Sequence, residues 1–586
     1  MSLENRRSLG ADKPASNTSG ACSLPVSVTA PLSNADIADR LSSLAQLLTV
    51  KGENPYKIRA YRRAANTIRG LGESVDDLVR SEGDLTTYEG IGRAIAYAVR
   101  EIVLEGKLGS LEKLRAEVPP EVVAINQHPR LDPTRVLRVY KKLGISSIPE
   151  LRKALDSGKI DEVFGARMAQ HVRQGLIESN SILLYHAHSL VAAIQHFLLK
   201  RCDAVRAIAA GDYRRCVEVI SNLDFIVETA DFRATAEAFQ LFGGRTPILE
   251  VSSKYATFSL PSGPILRLEP ASKQNWGLAL IRQTGSRAHL TRLTRVTGSL
   301  GTLEHSAAFA TEEVFFKRFK LQFIAPELRE GLDEVRLARE GKLPTLITQE
   351  DLRGDLHMHT EASDGVATLE QMALAARSRR YAYVGISDHS PSLKIANGLS
   401  VERLKKQIRA IDKLNEKLSG IRLLRSAEVD ILADGALDYP DEILRELDYT
   451  VCSIHSRFAM NKEQQTERIL RAMDHRYFNI LGHATGRLLL KRPGYEIDIR
   501  RVIEHAKQNG CFFELNSSPD RLDVSAENAR LIRDAGILIA ISTDSHSTGE
   551  LATMRFGLEQ ARRAGLDKAA VLNTRPLPEL MKLFAR

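Results

Sequence analysis

The sequence predicts a multidomain chain with a helical N-terminal part and a C-terminal α/β barrel. Three observations lead there. At 586 residues the chain exceeds what a single hydrophobic core sustains. Its first hundred or so residues carry apolar side chains at helical spacing. After Thr348 the pattern changes to seven alternations of a short apolar strand with a helical segment, the signature of a parallel barrel.

The opening residues 1–30, rich in Ser, Ala and Pro and without an apolar signal core, read as a disordered tail. No apolar run approaches the roughly 20 residues that span a bilayer, and five scattered cysteines without a CxxC pair fit a reducing compartment. A cytoplasmic location, a monomer and no membrane partner are the expectation. The net charge is +9, and residues 251–300 concentrate seven basic side chains against one acidic. Such a stripe suits phosphate, although a solvated face explains charge alone as well.

Within residues 31–120, "ADIADRLSSLAQLLTV" and "PYKIRAYRRAANTIRGL" are helical stretches separated at Gly52 and Pro55. "YEGIGRAIAYAVREIVLEGKLGSLEKL" follows, and Gly90 and Gly92 are expected to form a tight turn opening a helix, where backbone N–H groups can hold phosphate. A plain helix–helix turn is the competing reading. His186 and His188 stand two apart in a helical pattern, so they point away from each other and are not expected to share a metal.

The final 238 residues, 349–586, are the most distinctive. Strand one, in "RGDLHMHTEASDG", ends with His357 and His359, with Asp364 in the loop beyond. The next strands end at His389, Glu428, His455 and His483, and strand seven ends with Asp544 and His546. Residues i and i+2 of a strand share a face, so His357/His359 and Asp544/His546 are each expected to grip an ion. Function in such barrels collects at the carboxyl ends of strands. Six histidines and three carboxylates at successive strand ends point to clustered divalent metals and phosphoester hydrolysis by an activated water. His475 and His505 are expected in helices and are left out of the set.

Two resemblances sharpen this reading. "NPYKIRAYRRAANTI", "GIGRAIAYAVREIVLEGKLGSLEKL", "GDYRRCVEVISNLDFIVE", "RQTGSRAH" and "FIAPELREGLDEVRLAREGKLPTL" together resemble family X DNA polymerases over residues 35–348. This implies a helix-hairpin-helix domain at 31–120, a fingers-like helical domain at 121–195, a palm at 196–270 and a thumb-like domain at 271–348, the polymerase core being an α+β nucleotidyltransferase-like fold. Lys57 and Tyr61 match the family's pocket for a DNA 5′-phosphate, whereas Ala98 stands where its lyase lysine would be. The palm's metal-binding Asp-x-Asp reads Asn222-Leu-Asp224, Asp212 replaces the usual serine, and Arg267 aligns with the third carboxylate. An amide weakens dication binding and a guanidinium repels it, so the polymerase site reads as inactive.

The nine strand-end residues resemble the PHP (polymerase and histidinol phosphatase) domain over 349–586. That resemblance implies a distorted (β/α)7 barrel and about three metals, Mn²⁺, Zn²⁺ or Fe. Glu428 would bridge two ions. His357, His359 and Asp544 would hold one, His455 and His483 the second, and Asp364, His389 and His546 the third. A 3′→5′ exonuclease on gapped, nicked or 3′-ended DNA is the reading. The alternatives are an active polymerase/exonuclease, a histidinol-phosphatase-like enzyme, and a non-catalytic DNA-end scaffold.

Overall fold

The structure is a computed structural model that describes residues 32–51, 53–117, 133–145, 147–165, 168–169, 172, 181–260 and 263–585. The expected tail at 1–30 and Gly52 lie outside the described residues.

Ser33 caps the first helix, Asn34–Val50, through a capping box in which Ser33 and Asp36 satisfy each other's backbone N–H groups. Asn54 caps Pro55–Gly70, where proline at the first helical position costs no hydrogen bond. These two helices pack with Val75–Arg80, Arg93–Glu105 and Gly109–Glu117 around one apolar cluster that includes Leu44, Ile68, Val99 and Ile102. The turn before Arg93–Glu105 holds Gly90 at φ +85°, with Arg63 and Thr67 packed against the face where a Cβ would stand. Gly92 is the N-cap, and its carbonyl accepts from the N–H groups of Ile95 and Ala96. Glycine is required at the first position and only open at the second.

Short helices Pro133–Leu143, Ile148–Asp156 and Lys159–Phe164 share a small separate core. The boundary expected at 195/196 is wrong. It falls inside the helix Leu184–Arg201, whose apolar face (Leu184, Leu190, Ile194, Leu198) is buried with the sheet that follows. That sheet is mixed, with the strand order Arg206–Ala209, Asn222–Glu228, Ile265–Pro270, Ala256–Ser259, Ile248–Val251. Five helices after it, from Trp276–Thr284 to Glu334–Glu340, enclose Phe309, Phe315 and Phe316.

Seven parallel strand segments follow: Gly354–Asp355, Tyr383–Ile386, Arg422–Arg425 continuing into Glu428–Asp430, Val451–Ser453, Ile480–Leu481, Phe512–Asn516 and Ile539–Ser542. The third is interrupted because its partner changes. Arg422–Arg425 pairs back with Tyr383–Ile386, whereas Glu428–Asp430 pairs forward with Val451–Ser453. Parallel bridges His389–Glu428 and Met358–Ser545 join the two resulting sheets at both edges. Side chains alternate along each strand. One set (Leu356, Tyr383, Leu424, Val451, Ile480, Phe512, Ala540) packs on the C-terminal helix Leu577–Phe584, and the other meets the surrounding helices.

The C-terminal region is tied to the middle by specific contacts. Arg487 pairs with Glu218 at 2.7 Å, Arg562 with Glu327 at 2.7 Å and Arg563 with Glu330 at 2.9 Å. His188 lies 3.1 Å from Glu559, and Gln560 donates to the Cys216 carbonyl at 2.9 Å. His186 instead faces Asn66 of the first helical unit, so the two histidines do look in different directions, each toward a separate part of the chain.

Arg329 is fully buried, and Glu312 compensates it at 2.5 Å while also binding Arg214 at 2.6 Å. Burial opposes ionisation of Glu312, but Arg214 and Arg329 hold its carboxyl below the ordinary value of 4.5. A depressed carboxyl stabilises the fold above its unfolded pKa and loses that contribution as pH falls. Glu312→Ala is expected to lower stability by about 3–5 kcal/mol at neutral pH, because it leaves a buried guanidinium unpaired. Thermal unfolding of wild type and variant at pH 7 and pH 4 checks this, and the gap should narrow at the acid end.

Candidate metal centre

The carboxylate of Glu428 is the hub of the candidate site. It starts the strand Glu428–Asp430 and is almost fully buried. His483 Nε2 and His389 Nδ1 each lie 2.8 Å from it, His455 Nε2 3.3 Å, His357 Nε2 3.4 Å and His359 Nε2 3.6 Å. Asp544 approaches His359 Nε2 at 3.1 Å, and Asp364 lies 3.3 Å from His546 and 3.6 Å from His389. All nine sequence-predicted residues therefore converge.

Three groups have ligand atoms close enough to hold an ion: His357/His359/Asp544, His359/Asp364/His389/His546, and His389/Glu428/His455. The pair His357/His359 shares one group as strand alternation predicts. Asp544 and His546 do not share one, which corrects that expectation. The strand Ile539–Ser542 has ended before them and Asp544 takes φ +54°, so the backbone turns and sends the two side chains to different groups. His475 lies in a turn rather than a helix and pairs with Asp441, while His505 is in the helix Ile499–Asn509 and pairs with Asp474.

The electrostatics fit cations. Burial disfavours charge on Glu428 and Asp544, yet the surrounding imidazoles, His455 foremost for Glu428 and His357 for Asp544, hold both carboxyls well below the usual range. Asp364 is likewise drawn down to about 2 by its histidine neighbours against the effect of burial. Burial, with His546 and His389 alongside, lowers His359 to about 4, so it is a neutral imidazole. Burial pulls His455 down too, but Glu428 and Asp430 outweigh it and raise His455 to about 10. Among the described residues, the buried atoms His357 Nε2, His359 Nδ1 and Glu428 Oε2 have no hydrogen-bond partner. Buried polar atoms left open in this way, on oxygen and imidazole donors, suit divalent transition ions.

Sequence reasoning missed the residues that aim the ligands. Glu514 Oε1 lies 2.7 Å from His357 Nδ1, and its other oxygen accepts from the His483 N–H at 2.7 Å. Asp430 lies 2.7 Å from His455 Nδ1. Asp388 accepts from the Thr360 N–H and hydroxyl and from Ser363, pinning the turn that carries Asp364. The available signal was a carboxylate inside an otherwise apolar strand, "CFFELN", and a second carboxylate two residues after Glu428.

The other candidate residues occupy separate places. Lys57 is exposed on the helix Pro55–Gly70, 3.8 Å from Glu53, and Tyr61 is half-buried on the same helix. In the mixed sheet Asp224 stands in register beside Arg267, and Asn222 is exposed at the start of its strand. Arg267 turns to Glu269 at 2.6 Å and lies 4.3 Å over the Tyr255 ring. Burial raises Asp224 to about 6, with Arg267 working against the rise.

Glu514→Gln is expected to keep the fold but weaken metal affinity or hydrolysis about 10–100-fold, the usual cost of losing a carboxylate behind a ligating histidine. Metal titration of the purified variant reads this directly, and unchanged affinity together with unchanged rate counts against the role.

The comparisons agree with this layout. A helix-hairpin-helix domain family model matches residues 32–108, and a PHP domain model matches residues 355–518. The chain is 31% identical over 574 residues to a Bacillus subtilis (strain 168) protein named DNA polymerase/3′-5′ exonuclease PolX, covering 94% of this chain and 99% of that one. A probable phosphatase of Thermoanaerobacter sp. (strain X514) is 30% identical over 231 residues, 38% of this chain and 89% of its own. A probable phosphatase of Acetivibrio thermocellus is 32% identical over 229 residues, 38% of this chain and 90% of its own. With a full-length relative at this identity and both domain types in their expected order, the chain belongs to the PolX family, in which a family X DNA polymerase is fused to a PHP domain.

Proposed function

We propose that this protein is a metal-dependent 3′→5′ exonuclease acting on DNA ends, working from a PHP domain of the distorted seven-stranded barrel type. The observation that carries the reading is the convergence of six imidazoles and three carboxylates around Glu428, in a chain that also bears a helix-hairpin-helix unit. The full-length relative named as a polymerase and 3′-5′ exonuclease supports the same choice. The shorter relatives named as probable phosphatases match only the C-terminal part and leave the DNA-binding half without a role.

Divalent ions, Mn²⁺ or Zn²⁺, would be held by the three side-chain groups, about one in each, with Glu428 in the group of His389 and His455. Bound there, they supply a water activated near neutral pH and positive charge for a phosphoryl oxygen. The protein's own part is geometric and electrostatic. Glu514 and Asp430 fix the imidazoles of His357 and His455, Asp388 fixes the turn of Asp364, and the buried anions keep the centre charged to receive cations. Gly90, Gly92, Lys57 and Tyr61 are assigned to holding the phosphates of the DNA end. Such contacts fix register without reading sequence.

Polymerisation is assigned as lost. Asn222 has no charge to give a dication, and Arg267 places a guanidinium beside Asp224 where a third carboxylate is needed.

Purified protein with Mn²⁺ should shorten a 5′-labelled gapped duplex one nucleotide at a time from its 3′ end. Chelation should stop it, and His359→Ala or Asp544→Ala should slow it by about 10³-fold or more. Release of phosphate from phosphomonoesters with DNA left intact would sink the exonuclease reading.

In an Asp544→Ala background, where degradation cannot mask extension, no template-directed primer extension is expected. Asn222→Asp alone should not restore it; Asn222→Asp with Arg267→Asp is the minimum repair. Extension by Asp544→Ala protein with Asn222 and Arg267 intact returns the palm to the working polymerases.

A further inference from the structure

The metal centre meets solvent on one side, where Asp364 and His546 are each about a third exposed. The loop 391–399 borders that side and is tied to the ligands along its length. The Ser390 N–H donates to the Glu428 carbonyl at 3.0 Å, the Ser392 hydroxyl to Asp430 at 2.5 Å, and the Leu399 N–H to the His389 carbonyl at 2.7 Å. The Asn397 amide donates to the carbonyls of Ala362 and Ser363, just before Asp364, both at 3.3 Å. Arg403, in the first turn of the helix Val401–Lys417, donates to the carbonyls of Ala362, Asn397 and Gly398, so both loops are fastened to that helix.

One side chain of this pinned loop stands apart from the rest. Ala396 and Leu399 are buried, yet Ile395 is 94% exposed, and Val366, two residues past Asp364, is exposed as well. A lone exposed apolar residue is ordinary on a surface. Here it sits at the head of a row of cations. Lys406, Arg409, Lys413 and Lys417 follow on the helix at spacings of three, four and four, which places them on one face. All four are exposed, and among the described residues none makes an ion pair or a side-chain hydrogen bond, although the adjacent Lys405 pairs with Glu446 at 3.9 Å. Glu402 and Glu416 flank the row without pairing to it, and the Ser400 hydroxyl donates to Glu402 at 2.8 Å.

The helix rises about 1.5 Å per residue, so successive cations stand roughly 5–6 Å apart along its axis and can each meet a phosphate of an extended strand. Unpaired cations in a line suit a polyanion, whose counterions they release. An apolar side chain at the end nearest the metals suits the face of a base, the role that apolar wedges fill between base steps. We propose that the loop 391–399 and the helix Val401–Lys417 form the DNA-strand track of the metal centre. The backbone phosphates lie along the four cations, and the base beside the scissile bond lies against Ile395. The track rests on the exonuclease reading for its purpose, while strand binding can be read without cleavage.

The test compares full-length, Mn²⁺-loaded wild type with a Lys406→Ala/Arg409→Ala/Lys413→Ala variant and with Ile395→Ser, all changed at exposed positions. Substrates are a 5′-labelled oligonucleotide with an unpaired 3′ end, the same end paired in a gapped duplex, and bis(p-nitrophenyl) phosphate. Oligonucleotide affinity is read by fluorescence anisotropy across salt in an Asp544→Ala background, where DNA survives. The triple variant should raise KM for both DNAs about tenfold with kcat kept, and its slope of log affinity against log salt should fall by about 2, at roughly 0.7 per lost phosphate contact. Ile395→Ser should slow the paired end several-fold and leave the unpaired end at the wild-type rate, because opening the last pair is the step a wedge assists. All three proteins should cleave the small diester equally. Unchanged KM and salt slope in the triple variant overturn the track, as does an equal loss on the small diester, and a paired end cleaved by Ile395→Ser at the wild-type rate removes Ile395 from it. Wild type that cleaves the small diester and leaves DNA intact removes the exonuclease reading, and the salt slope then decides the track alone.

Discussion

A carboxylate buried among five imidazoles sets the terms for the C-terminal half of this protein. Glu428 is out of water, and an uncompensated charge there would cost several kcal/mol. Compensation comes from residues just beyond the ends of four other strand segments, so the site exists only when those segments are in register. The parallel bridge that Glu428 makes with His389 is also where the interrupted third strand changes partner, so the point of maximum charge and the seam between the sheets coincide. Cations complete what the histidines begin: they find the carboxylates ionised and His359 neutral, whereas His357, His455 and His546, raised by their carboxylate neighbours, would release protons as metal enters.

Much of this was legible in the sequence because period-two strands and their polar terminal residues leave a regular trace. The seven strand–helix repeats and all nine converging side chains could be read from spacing. The supports could not. Glu514 sits in an apolar strand and looks like a mistake until His357 is placed against it, and Asp388 is hidden beside a ligand. Alternation alone also missed the division of labour between Asp544 and His546, which only the family resemblance implied, since it depends on a left-handed residue that alternation does not foresee. In the front half, the boundary at 195/196 failed for a related reason. The helix Leu184–Arg201 has the apolar face of any helix, and only the fold reveals that the face belongs to the sheet after it.

The middle region keeps its frame independent of the polar residues that line it. Asn222, Asp224 and Arg267 occupy adjoining strands of a well-packed mixed sheet, with Phe225, Val227, Leu266 and Leu268 buried beneath them. Arg267 has its own partners in Glu269 and Tyr255, so the guanidinium is accommodated as a structural residue. Burial lifts the Asp224 carboxyl to about 6, against the pull of Arg267 beside it. The apolar side chains hold the strands together regardless of which polar residues line their ends.

The link between Arg487 and Glu218 gives this frame a different significance. Arg487 lies four residues beyond His483, and Glu218 lies four residues before Asn222, so one ion pair joins a segment of the metal centre to the segment that leads into the strand Asn222–Glu228. Together with Gln560 on the Cys216 carbonyl, it makes the segment around 216–218 answerable to two neighbours at once. Genetic drift in the middle region is therefore expected to be lopsided. Positions of the sheet away from this margin can vary independently between related lineages, whereas the margin that meets the C-terminal loops must change in step with them.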